Sequence, residues 1–103
     1  MNLGSTISDL RKSKKMTQGD LARRCRIKQA YISQIENNKK EPNLSTIKSI
    51  SMALGTPLPV IFLLSLEKID VPRNKQTIFD AMKPSIAGFF KSIYDDEATQ
   101  NYK

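Results

Sequence analysis

The sequence predicts an all-α fold, and three observations support this prediction. Apolar residues recur at intervals of three and four along much of residues 3–66, which is the spacing of one face of an α-helix. The breaks between these stretches carry residues that begin or end helices, such as Thr17, Asn38 and Gly55. No segment alternates apolar and polar residues for long enough to make a convincing strand.

The first two predicted helices flank a short polar turn. The first covers residues 3–13, and its inward face carries Leu3, Ile7 and Leu10. Thr17 is a good N-cap for the second helix, and Asp20 stands where the acid of a capping box belongs. The buried side of the second helix is expected to hold Leu21, Ala22 and Cys25. Cys25, the single cysteine, is interpreted as a small buried hydrophobic residue and suits a reducing cytoplasm.

The third predicted helix runs from about Lys28 to Asn37, with Ile32 and Ile35 facing inward. Asn38 can end it, because asparagine tolerates the left-handed conformation found after helix C-termini. The exposed positions of this helix are Gln29, Ala30, Ser33 and Gln34, with Tyr31 at the edge.

Two further helices are expected before residue 67. The apolar positions of the fourth are Leu44, Ile47, Ile50, Ala53 and Leu54. Gly55 is its stop signal. The fifth is expected to begin with Thr56 as N-cap and Pro57 as first helical residue, where the missing N–H costs nothing.

The positive charge of the chain is concentrated in its first half. Residues 1–48 contain eleven Lys or Arg and four Asp or Glu, and therefore account for the whole net charge of +7. Residues 49–103 balance at six against six. A basic segment of this kind is typical of a phosphate-binding surface, although a solvated face gives the same charge pattern.

The spacing of many positions together resembles the Cro/CI-type (XRE) helix-turn-helix family. The matching positions are Leu10-Arg11, Met16-Thr17-Gln18, Leu21-Ala22, Tyr31-Ile32-Ser33, Ile35-Glu36, Pro42, Leu44, Ile47 and Ala53-Leu54-Gly55. The resemblance covers roughly residues 3–64. It implies a five-helix, lambda-repressor-like bundle whose third helix enters the major groove of DNA. The helical C-terminal extension that the apolar spacing predicts lies outside this resemblance.

The same resemblance implies roles for individual residues. Gln18 should contact a phosphate and brace the first residues of helix 3, and Arg11 should pair with Glu36. Residues expected to touch base edges are Lys28, Gln29, Ala30, Ser33 and Gln34. Residues expected to grip backbone phosphates are Asn37, Lys39 and Lys40. Tyr31 has two interpretations, packing at the core edge alone or packing with its hydroxyl offered to a phosphate.

Elementary chemistry supports these roles. A glutamine amide can bond adenine N6 and N7, a lysine can donate to guanine O6 and N7, and a short side chain such as Ala30 can touch a thymine methyl. Free N–H groups and the positive dipole end at Thr17 suit a phosphate. A plain solvated helix face remains the alternative for Gln29 and Gln34.

Two residues depart from the family pattern. Arg26 occupies the turn position where glycine is usual, and a non-glycine residue in the left-handed conformation costs about 1 kcal/mol. Lys28 replaces the usual Ser or Thr cap, which costs about 1 kcal/mol and opposes the helix dipole. Our hypothesis is that Arg26 and Lys28 lower the stability of the fold and in return provide contacts with a phosphate or with guanine.

The C-terminal third carries apolar residues that one bundle cannot bury. Residues 58–66 are apolar nearly all round, and a second apolar stripe follows the predicted linker. The residues predicted to support dimerisation are Phe62, Leu63, Leu66, Phe79, Met82, Ile86, Phe89, Phe90 and Ile93. Pro84 should kink this stripe or restart it. Packing on the chain's own domain and docking to another protein are the alternatives to dimerisation.

The sequence therefore predicts a DNA-binding domain over residues 1–66, a linker over 67–75, a helical extension over 76–94 and a flexible tail over 95–103. The expected function is that of a dimeric transcriptional regulator, in particular a repressor, which binds a pseudo-palindromic operator. An antitoxin with autoregulatory DNA binding is the alternative. An enzyme is disfavoured, because the chain lacks histidine and no acidic pair has catalytic or metal-ligand spacing. No cofactor, metal site, signal segment or membrane span is predicted.

Overall fold

A computed structural model describes residues 1–85, 88 and 92 of the chain. The chain divides into two compact units, Met1–Ser65 and a second one that begins at Leu66. The first unit contains five helices, which are α1 (Leu3–Ser13), α2 (Gln18–Cys25), α3 (Gln29–Glu36), α4 (Leu44–Leu54) and α5 (Leu58–Ser65). The described residues contain no strand, so the predicted all-α fold is confirmed.

The core of the first unit is formed by the apolar faces of all five helices. α2 packs against α3 and α4, whereas α1 packs against α3 and α5. The most deeply buried apolar side chains are Ile7, Leu21, Ile32, Ile35, Ile50, Leu54 and Ile61. Cys25 is also buried, as predicted, and desolvation raises the pKa of its thiol.

Side-chain caps fix where three of the helices begin. The predicted capping box of α2 is present, because Asp20 N donates to Thr17 Oγ1 at 3.0 Å and Thr17 N donates to Asp20 Oδ2 at 2.9 Å. Asn2 caps α1 by accepting from Ser5 N, and Asn43 caps α4 by accepting from Thr46 N. The cap of α2 was predicted from the sequence, whereas the two asparagine caps were not.

α4 begins at Leu44 and ends before Gly55 as expected, whereas the expected start and cap of α5 were wrong. Leu44 is 60% exposed, since it is the first residue of α4 and lies before the turn that meets the core. α5 begins at Leu58 rather than at Pro57. The hydroxyl of Thr56 donates to Leu54 O at 3.4 Å and does not cap α5, so the predicted N-cap at Thr56 was wrong.

The second unit is described as far as its first helical segment. Residues 68–70 and 73–75 form single 3-10 turns within the segment predicted as a linker. Residues 76–85 are helical, Pro84 included, so no break occurs at that proline. The predictions for Ile86, Phe89, Phe90, Ile93 and the tail 95–103 lie outside the described residues. No single helix in the described part is long and apolar enough to cross a membrane, and α4 with α5 reaches that length only as a pair bent by 98°.

Candidate nucleic-acid interface

The helix-turn-helix is formed by α2, a three-residue turn and α3. Arg26 ends α2 in the left-handed conformation, with φ 57° and ψ 41°, as expected from its replacement of glycine. The turn is closed by Ile27 N, which donates to Ala22 O at 3.0 Å. Ile32 and Ile35 are 0% and 1% exposed and therefore fix which face of α3 is directed away from the core.

The outward face of α3 carries the residues predicted to read bases. Lys28, Gln29 and Ala30 at its beginning are exposed, and Ser33 and Gln34 in its second half are half-buried. Tyr31 is half-buried and packs against the core, which agrees with both interpretations of this residue. The N-cap Lys28 makes no side-chain cap hydrogen bond, as its chemistry requires.

The C-terminal end of α3 continues into an exposed polar loop. Asn37 Nδ2 donates to Ser33 O at 2.9 Å, and the backbone N–H groups of Lys39 and Lys40 donate to Gln34 O at 2.8 and 3.3 Å. These bonds satisfy carbonyls at the end of the helix. The side chains of Asn37, Lys39 and Lys40 are left exposed beside it.

A buried ion pair connects α1, α2 and α3. Arg11 Nε and Nη2 donate to the two carboxylate oxygens of Glu36 at 2.7 and 3.0 Å, and Arg11 Nη1 donates to Met16 O at 2.8 Å. The hydrogen bond to Glu36 raises the pKa of Arg11. This is the pair that the resemblance implied, and its bidentate geometry is the strong form of such a contact.

Gln18 joins the same pair and corrects one detail of the prediction. Its amide Nε2 donates to Glu36 Oε1 at 3.1 Å. Gln18 therefore braces the last residue of α3, whereas the sequence analysis placed this contact at the first residues. The reason is that the buried carboxylate of Glu36 needs a further donor and lies within reach of α2.

Arg23 is a residue near this surface that the sequence analysis did not single out. Its guanidinium Nη2 donates to Asp20 Oδ1. A methyl group placed on Gly19 would lie 3.8 Å from Arg23 Nη1 and also 3.8 Å from Gln29 Oε1. The hydrogen bond from the Thr17 backbone lowers the pKa of Asp20, so this carboxylate stays charged beside Arg23 at neutral pH. An arginine one turn after an N-terminal Asp is the sequence signal that could have identified it.

The residues predicted to support dimerisation occur in both units. In the first unit, Phe62 is 37% exposed and Leu63 is half-buried. In the second unit, Leu66 and Phe79 are half-buried and Met82 is 50% exposed. The Nζ of Lys83 lies 5.4 Å from the centroid of the Phe79 ring.

Comparison with known proteins agrees with this geometry. A helix-turn-helix family model matches residues 7–61, more than half of the chain. The chain is 34% identical over 61 residues to the immunity repressor protein of Bacillus phage phi105, and the alignment covers 59% of this chain and 42% of that protein. It is 28% identical over 68 residues to the ImmF control region 10 kDa protein of the same phage, covering 66% of this chain and 76% of that protein. The chain thus spans less than half the length of the first relative, and no solved structure matches it. With this match over most of the five-helix unit, the chain belongs to the Cro/CI-type (XRE) helix-turn-helix family of DNA-binding proteins.

Proposed function

We propose that the chain is a sequence-specific transcriptional repressor that binds a pseudo-palindromic operator as a dimer. The observation that carries the proposal is the exposed start of α3, where Lys28, Gln29 and Ala30 project from a helix whose other face is fully buried. Side chains at the start of such a helix reach base edges when the helix lies in the major groove.

Each of these side chains has a matching base. Gln29 offers an amide that pairs with adenine N6 and N7, and Lys28 donates to the acceptor edge of guanine. Ala30 is short enough to contact a thymine methyl. Ser33 and Gln34 extend this row into the second half of α3. The sequence preference of the protein would therefore depend mainly on α3.

Contacts with the DNA backbone would come from both ends of the helix-turn-helix. Thr17 and Gln18 lie at the N-terminus of α2, where backbone N–H groups and the helix dipole favour a phosphate. The exposed side chains at the other end are Asn37, Lys39 and Lys40. Such contacts set the position of the protein on the duplex without reading sequence.

The names of the two relatives support a role in repression rather than another function that uses DNA binding. One of them is named an immunity repressor protein and the other a control region protein. Dimerisation is supported by the exposed apolar side chains Phe62 and Met82.

Selection of bound duplexes from a random DNA library tests the proposal. We expect an inverted repeat whose half-sites are centred about 10 bp apart, because two recognition helices enter successive major grooves. Gln29→Ala should then weaken operator binding by about tenfold or more and relax specificity at one position of each half-site. Gln76→Ala, the same substitution in the second unit, is the control and should leave binding unchanged.

Two outcomes would contradict the proposal. Binding that depends steeply on salt but enriches no sequence would reduce α3 to a generic contact with the backbone. Co-purification of a second small protein, with DNA binding only as a complex, would favour the antitoxin alternative.

A further inference from the structure

The side chains of Arg23, in the last turn of α2, and of Gln29, the first residue of α3, both reach the vicinity of Gly19. Arg23 Nη1 and Gln29 Oε1 each lie 3.8 Å from the position that a Cβ atom of Gly19 would occupy. Thr17 Oγ1 lies 3.7 Å from that same position. The guanidinium of Arg23 therefore lies near Gly19, in the neighbourhood of Thr17, which is proposed to hold a phosphate, and of Gln29, which is proposed to read a base.

The direction of the Arg23 side chain is set by the carboxylate of Asp20, which is itself held in place. Asp20 Oδ2 accepts from Thr17 N at 2.9 Å, which sets the orientation of the carboxylate, and Asp20 Oδ1 accepts from Arg23 Nη2. Among the described residues, Asp20 is the hydrogen-bond acceptor for the Arg23 guanidinium. The remaining N–H groups of this planar, always charged group stay available for a further acceptor.

The ion pair itself does not explain why an arginine stands here. The side chains of Arg23 and Asp20 are 76% and 35% exposed, and pairs as exposed as this one contribute little to the stability of a protein. The capping function of Asp20 is already complete through Thr17. The ion pair is therefore better suited to orient the Arg23 guanidinium towards a ligand than to stabilise α2.

We infer that Arg23 binds a DNA backbone phosphate, the one that flanks the base pair contacted by Gln29, with Asp20 as its positioning residue. This inference rests on the proposed function. An arginine guanidinium matches the geometry of phosphate oxygens and can donate two parallel N–H groups to them. The absence of a side chain at Gly19 leaves the space between Arg23 and Gln29 open to that phosphate.

Arg23→Ala and Arg24→Ala form a matched pair that tests the inference. Both variants remove one exposed arginine from α2. Arg24 lines one groove with Asp20 and Arg23 and another with Ser49 and Met52 of α4, but it is Arg23 that donates to the Asp20 carboxylate. Affinity for the selected operator and for a random duplex is measured across a range of salt concentrations. We expect Arg23→Ala to lose about tenfold affinity per half-site on both duplexes. The slope of log affinity against log salt should fall by about 0.9 for each Arg23 at the duplex, whereas Arg24→Ala should leave the slope unchanged.

A neutral methylphosphonate at the flanking position locates the phosphate. On such a duplex, wild type and Arg23→Ala should bind equally, since the charge that distinguishes them has been removed. Arg23→Lys should keep the salt slope and lose part of the affinity, because a lysine lacks the two-pronged geometry.

Three results separate the possible failures. Equal binding by the two alanine variants would overturn the inference and leave the operator reading by Gln29 intact. A loss confined to the operator, with relaxed specificity at one base pair, would assign Arg23 to a base edge and overturn the phosphate contact. Wild-type protein that binds no DNA would instead overturn the proposed function.

Discussion

At the residue scale, Gly4 is the glycine of the first unit with the least room for a side chain. Its N–H donates to Asn38 Oδ1 at 3.1 Å, and Asn38 stands in the left-handed conformation with φ 58° just after α3. A Cβ atom on Gly4 would lie 2.6 Å from the backbone carbonyl oxygen of Glu36, which cannot move without displacing the end of α3. Gly4 thus allows α1 to approach the recognition helix.

Gly4→Ala should therefore lower the free energy of unfolding by about 1–3 kcal/mol, the usual cost of overpacking, as measured by urea denaturation. Gly19→Ala is the matched control, because the nearest atom to its new Cβ would lie 3.7 Å away. This control should be neutral or up to about 1 kcal/mol more stable, since alanine favours a helix. Equal stability of the Gly4 variant and the wild type would show that α1 can shift away from α3.

At the element scale, α3 begins without a side-chain cap and follows a left-handed arginine. We predict that Lys28→Ser raises the free energy of unfolding by about 1 kcal/mol, because a serine hydroxyl can accept the cap hydrogen bond that lysine cannot. Arg26→Gly should add about 1 kcal/mol by removing the cost of a side chain at φ 57°. Both variants should bind DNA more weakly and with a smaller salt slope.

Lys12→Ser is the control for charge, because Lys12 is an exposed cation in the last turn of α1. It should leave the salt slope of DNA binding unchanged and should not stabilise the fold. If Lys28→Ser raised the free energy of unfolding while DNA affinity and salt slope stayed the same, the hypothesis that Lys28 lowers stability but contributes a DNA contact would be disproved. The stability change alone would then reflect only a missing cap.

At the scale of the whole molecule, we predict a homodimer that depends on apolar side chains outside the core. Sedimentation equilibrium should give twice the mass of one chain at micromolar concentration. Met82→Glu should shift this equilibrium towards monomer and weaken operator binding, because it places a charge on a 50% exposed apolar residue. Met52→Glu is the control, as Met52 is 83% exposed on α4 and has no assigned role in assembly.

A monomeric wild type would favour packing of the extension on its own chain. Phe62→Glu tests whether the dimer interface lies in the first unit, because Phe62 belongs to α5 of that unit and is 37% exposed. Dissociation by this variant alone would assign dimerisation to the first unit.

Sequence patterns predicted the helices better than the contacts between them. Spacing and caps located both ends of α1, α3 and α4 to within one residue, and the start of α2, because local backbone preferences and burial periodicity agree there. The link between Gly4 and Asn38 joins residues 34 apart and leaves no periodic signal. The start of α5 was misplaced because Thr56 is buried and its hydroxyl bonds backwards to Leu54.

For the candidate site too, the exposed residues were predicted better than the contacts between helices. The exposed start of α3 follows directly from the inward positions of Ile32 and Ile35, which the sequence gives by spacing. The contact of Gln18 with Glu36 and the approach of Gln29 to Gly19 depend on the angle between α2 and α3. That angle results from packing of the core and cannot be read from either helix alone.

The hydrogen bonds that Glu36 accepts from Arg11 and Gln18 have an evolutionary consequence. It fastens the far end of α3 to α1 and α2 from inside the protein, whereas Lys28, Gln29 and Ala30 lie at the opposite end and contribute nothing to the core. Mutations at these three positions can accumulate without unfolding the domain. A lineage of such proteins can therefore acquire new operators while inheriting an unchanged scaffold, so relatives that have diverged in target would still share their interior.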